Sequence, residues 1–229
     1  MTDEFGETWV YESIVGALPG IDLGPGAAIA VQIAVFETGV LLLAWVYGLW
    51  NAVLPGTVAV GVAAVGSVVM LALGNRTRGL EPPAAVRRLL FGSSIEVVLS
   101  VLAFSALLTY LLAGAPGHES TLIPELFGPD PPVLPVYLAL LVLWDLCYRI
   151  GTSWWVAVVS LWRSLRFRFE PETVRRYRRL DALNVGFALV QVALVPFLLD
   201  EPVLLVAVGG HVVAVVVVSS AAALLLRRE

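Results

Sequence analysis

Five residues able to carry charge or a proton sit inside otherwise apolar runs: Glu37 (AVFETGV), Glu96 (SSIEVVL), Asp145 and Arg149 (LVLWDLCYRIGTSWW), and His211 (VGGHVVA). Carboxyls, an imidazole and a guanidinium in low dielectric are the groups that pass protons or accompany small cations. Asp145 precedes Arg149 by four residues, which stacks them on one helical face with the acid nearer the N-terminus, the better orientation for a pair. An isolated charge at a bilayer centre costs between about 2.5 and 17 kcal/mol, and pairing lowers that cost. The pair therefore lets its helix insert and turns its polar face inward. Glu37 and Glu96 have no such basic partner on their own helices, so three acids face one arginine. Either some of them stay protonated, or cations or water accompany them. Gln32, Asn184 and Gln191 add amides, read as interhelical hydrogen bonds worth about 0.6–2 kcal/mol each.

The elements that must position these groups follow from composition. At 229 residues, 59% hydrophobic and 14% charged, the chain lies outside the range of soluble domains, which carry roughly 45–50% apolar and about 25% charged residues. The expected class is an all-α, polytopic membrane protein. Six runs are long and apolar enough to cross about 30 Å of hydrocarbon: Gly26–Trp50, Gly56–Gly74, Leu89–Ala113, Val133–Trp162, Ala182–Leu199 and Val203–Leu226. All 14 basic residues are arginine, and those between the runs fall in every second connection and at the C-terminus. Arginine marks the cytoplasmic side, so both termini are expected inside, in the plasma membrane. The other connections hold no arginine and carry Glu119, Glu125, Asp130, Asp200 and Glu201.

Residues 1–25 form a separate N-terminal segment, in which Trp9, Val10, Ile14, Val15 and Leu18 recur at helical spacing; a short amphipathic helix on the inner membrane surface is expected. No basic leader precedes the first run, so targeting falls to that run itself. The outer loop over residues 114–132 has five prolines, which predicts an extended or turn-rich lid, with His118 a solvated loop residue. The loop over residues 163–181 gathers Arg163, Arg166, Arg168, Arg175, Arg176, Arg178 and Arg179, read as contacts to anionic headgroups or a partner. Glu170 before Pro171 predicts the start of a short helix through Arg179, since proline suits a first turn. Trp50, Trp154, Trp155 and Trp162 suit an aromatic belt. Two halves of three spans also allow an inverted repeat, although aligning AWVYGLW with AVVSLW sets Glu37 against Arg149.

Several chemistries are excluded. The absence of lysine removes a retinal Schiff base; the single Cys147 removes an intrachain disulfide and a CxxC site; and two distant histidines do not make a metal cluster. No phosphate-cradling loop, HExxH, GxSxG, EF-hand or potassium-filter motif is present. No cofactor, metal or nucleic acid is expected. Lysine-free composition with a net charge of -4 points to a GC-rich, salt-adapted, archaeal halophile-like source. The first functional expectation is a transport or channel-like protein for protons or small cations, with Glu37, Glu96, Asp145, Arg149 and His211 along a partly hydrated path. The second is a non-catalytic scaffold or accessory subunit, a homo-oligomer or part of a larger membrane complex.

Overall fold

The computed structural model describes Trp9, residues 24–115, residue 117 and residues 120–228. The expected N-terminal interfacial helix, apart from Trp9, lies outside the described residues, as do His118 and Glu119. Among the described residues eight helices follow one another: α1 (Pro25–Tyr47), α2 (Val53–Arg78), α3 (Ala84–Phe91), α4 (Ile95–Ala113), α5 (Leu122–Phe127), α6 (Val133–Arg166), α7 (Pro171–Val190) and α8 (Pro202–Leu225). Short 3-10 segments cover Trp50–Ala52 and Gln191–Phe197. Six stretches are long and apolar enough to cross a membrane, in agreement with the all-α expectation. The arginine-bearing connections share one end of the bundle, here the basic end; the opposite, acidic end holds the α4–α6 and α7–α8 connections.

The longest helix, α6, has 34 residues and runs about 51 Å. It packs against every other helix, so its side chains reach all parts of the bundle. Its approach to α4 depends on Gly151, where a Cβ would stand 2.7 Å from the Ser100 hydroxyl and 3.1 Å from the Ser100 nitrogen. The basic end is densely packed: Leu73, Val86, Phe91, Val159, Val174, Tyr177 and Phe187 form one buried core.

Several features differ from the sequence expectation. The run Leu89–Ala113 is not one helix, because Gly92–Ser94 interrupts it and Ser94 takes a left-handed conformation with φ 51°. The piece before the break, α3, lies apart from α4 and is held by Trp indole N–H groups: Trp155 donates to the Leu89 carbonyl at 2.8 Å and Trp9 to that of Leu90 at 2.9 Å. Trp155, expected in an interfacial belt, thus serves as a tie between helices. In the arginine-rich loop the helix expected from Pro171 is present but does not stop at Arg179: α7 runs on unbroken to Val190, and α6 continues to Arg166. Arg168 and Phe169, in the short connection left, pair in parallel with Arg227 and Arg228 after α8. Finally, where Pro196 was expected to kink a helix, the chain from Gln191 to Phe197 winds as 3-10. Proline withholds a backbone donor, and the tighter winding changes which carbonyls need one.

The outer loop contains a helix, α5, despite its prolines. One side chain secures it. Glu201 is 1% exposed; it accepts hydrogen bonds from the Tyr110 and Ser120 hydroxyls and from the backbone N–H groups of Thr121 (2.7 Å) and Leu122 (2.8 Å). Burial alone pushes the carboxyl up, but these donors together hold it below the usual glutamate range. Because the folded value is depressed, its stabilising contribution is complete at neutral pH and lost as pH falls below that range. Replacing Glu201 with Gln is expected to cost about 2–3 kcal/mol of stability. In detergent this appears as a lower melting temperature at pH 7, and the gap to wild type narrows on acidification to pH 4 and below.

Candidate functional site

The polar residues inside the bundle gather on α6 and its neighbours. Arg149, with no exposed surface, donates from Nη2 to Asp145 Oδ1 at 2.7 Å and from Nε to Oδ2 at 3.1 Å. The four-residue spacing places the pair as expected. Gln32 on α1 donates to the same Asp145 Oδ2 at 3.1 Å, and Ser67 of α2 donates to the Gln32 carbonyl oxygen at 3.5 Å. The carboxylate thus joins α1 to α6, and α2 reaches it only through Gln32. The guanidinium stem passes α2 at Gly66, where a Cβ would stand 2.4 Å from Arg149 Cδ and 2.9 Å from Phe187 Cζ. The free space beside Asp145, between α1, α2 and α6, is about 10 Å³, at the lower limit for one water.

The remaining expected path residues lie elsewhere. Glu37, half-buried on α1, accepts from the Thr57 hydroxyl at 2.7 Å. Glu96 falls in the first turn of α4, because the helix starts later than expected, and is fully buried. Neither of its carboxyl oxygens has a hydrogen-bond partner among the described residues. The helix N-terminus supplies a favourable field for an anion there. Burial closes the snorkelling option that a position near the span end would offer. His211 lines a separate apolar cavity in the acidic-end half of the bundle, and its Nε2 is buried without a described partner. The five residues are thus not one cluster: Asp145 and Arg149 touch, and Glu37, Glu96 and His211 each have their own surroundings.

Of the supporting amides, Asn184 ties three helices, accepting from Ser153 Oγ at 2.8 Å and donating to Ser219 Oγ at 3.1 Å. Gln191 is fully buried, and its amide has no hydrogen-bond partner among the described residues. Among the arginines grouped as headgroup contacts, Arg166, Arg168, Arg175, Arg176 and Arg179 are exposed. Arg163 requires correction: it is 4% exposed, bonds both carboxylate oxygens of Asp181 at 2.8 and 3.1 Å and lies 4.0 Å from the Tyr177 ring centroid. Arg178 turns back to the carbonyl of Ala223 at 2.9 Å. Asp181 and Glu201 escaped the sequence reading, since their partners lie 18 and about 80–91 residues away and no helical periodicity connects them.

No group of histidine, cysteine and acidic side chains among the described residues is arranged to hold a metal ion. The Arg163–Asp181 pair, the Gln32–Asp145 and Asn184 amide ties and the glycine contacts join helices. Their integrity depends on close approach at Gly66: Gly66→Ala is expected to destabilise by about 1–3 kcal/mol through overpacking. Gly61→Ala, on the same helix with nothing within 4 Å of the added Cβ, is expected to be neutral or slightly stabilising. Thermal melts of the two variants in one detergent compare them directly.

No curated protein and no solved structure matches the chain. A family of unknown function (DUF7530) matches it over residues 4–222. Because that match spans nearly the whole sequence, the chain belongs to this family.

Proposed function

We propose that the chain is a non-catalytic membrane scaffold or accessory subunit, seated in the plasma membrane with both termini cytoplasmic. The observation that carries this reading is the enclosure of Asp145 by Arg149 and Gln32, with room for at most a single water beside it. A conducting route needs continuous hydration between its charged groups, and the intramembrane acids occupy separate surroundings. Removing one partner of a buried ion pair costs more than removing both, so such a pair suits a role in fixing helix register. The exposed arginines Arg166, Arg168, Arg175, Arg176 and Arg179 lie on the side assigned to the cytoplasm by the positive-inside rule. There they attract anionic headgroups at about 1 kcal/mol each. Span α1 is the least buried of the six and offers Glu37, half-exposed at mid-helix, as a hydrogen-bonding group to a membrane partner subunit or a second copy.

Proton or small-cation movement is the rival reading, and one observation favours it: Glu96, fully buried with both carboxyl oxygens lacking a described partner. The two readings separate by experiment. Arg149→Met alone is expected to strand the Asp145 carboxyl and lower stability by about 3–5 kcal/mol, with Asp145→Leu combined with Arg149→Met recovering most of that loss. In reconstituted vesicles, wild type, Glu37→Gln and Glu96→Gln are expected to give the proton and sodium flux of protein-free vesicles. A wild-type flux well above that background, abolished by Glu96→Gln, overturns the scaffold reading in favour of conduction.

A further inference from the structure

The acidic-end half of the bundle is built unlike the basic end. Where the basic end is filled by large side chains, the other half holds a partly open cavity of about 430 Å³ among α1, α2, α4, α6, α8 and the 3-10 segments, with Leu122, Ile123, Leu126 and Phe127 of α5 along one side. Protein interiors pack as densely as organic crystals and keep few voids larger than a water. A space of this size lies within the range of small-molecule sites, roughly 300–1,000 Å³. It is kept open by small residues on the facing helices, among them Ala59, Ala103, Ala106 and Ala139.

The lining states what kind of occupant fits. Among the described residues no charged side chain borders the cavity, and only Tyr110, Cys147 and His211 bring polar side-chain atoms to it. Tyr110 spends its hydroxyl on Glu201. Apolar cavities of this kind stay dry and take apolar guests, which removes ions, sugars and nucleotides. Shape narrows the class further. The α6 residues on the wall run from Pro135 to Ile150 in one stripe, a length of about 22 Å along the helix. An apolar wall of that length, on a chain with six helices long enough to cross a membrane, matches bilayer hydrocarbon, the apolar material that surrounds such helices.

We propose that this cavity binds a single extended hydrocarbon chain, lying along α6 beneath the α5 helix. The chain belongs either to a free fatty acid or to a membrane phospholipid. The inference goes beyond the scaffold role and does not depend on it, so the stability and flux outcomes above stand whatever the labelling result.

The test uses the full-length protein in lipid nanodiscs with two photoreactive probes carrying the same diazirine-bearing palmitoyl chain, one as the free acid and one in phosphatidylcholine. After illumination, crosslinks are mapped by peptide mass spectrometry. Saturable labelling at Leu107, Leu143, Cys147 or His211, competed by unlabelled palmitate or phospholipid, is the expected result, and the probe that gives it identifies the source. Filling the space with Ala103→Leu and Ala139→Leu is expected to reduce that labelling at least fivefold while leaving labelling of the outward Leu102 and Val213 unchanged. Labels confined to outward residues with both probes, or cavity labels that neither competition nor filling diminishes, overturn the proposal. The wild-type map decides this even if the filled variant does not fold.

Discussion

A guanidinium without exposed surface, set in the middle of the longest and most contacted helix, is the constraint around which the bundle is organised. Arg149 has a heavy desolvation cost, offset by two hydrogen bonds to Asp145 and by contact with its surroundings. Asp145 in turn accepts from Gln32, so α1 is held to α6 through the same carboxylate. The stem needs room that only a glycine leaves at position 66. One charge pair thus specifies the relative positions of α1, α2, α6 and the α7 phenylalanine Phe187. A second pair, Arg163 with Asp181, repeats the device where α6 meets α7.

Much of this was legible in the sequence, because the signals are local. Apolar run length gives the six spans, and a four-residue spacing gives the Asp145–Arg149 contact. Arginine segregation matches the two ends of the bundle. Pro171 marks the start of α7 as its fixed φ leads one to expect. The place of Glu96 in the first turn of α4 follows from the break at Ser94, and its signal was present but outweighed by apolar run length: Gly92, then Ser93 followed three residues later by Glu96 before an apolar run, is a helix-start pattern.

Contacts between distant segments were not legible. Glu201 reads as one of several acids in a solvated connection, yet it is buried and carries the anchorage of α5 through four separate partners. Asp181 reads as the last residue of a basic loop and is instead the counterion of Arg163. The cavity leaves no pattern either, since alanine and leucine at helical spacing describe a filled interface and a hollow one equally well. Volume arises from how helices diverge, which a one-dimensional periodicity does not record.

The seven residues from Gln191 to Phe197 give that hollow one of its walls. A winding of three residues per turn eclipses side chains three apart, so Gln191, Leu194 and Phe197 stand in a single file instead of spiralling around the axis. Two of the three, Leu194 and Phe197, border the open space. Its outline is therefore inscribed in backbone pitch as much as in side-chain size. The imino ring at position 196, which withholds a backbone donor from that winding, is not itself among the residues on the wall.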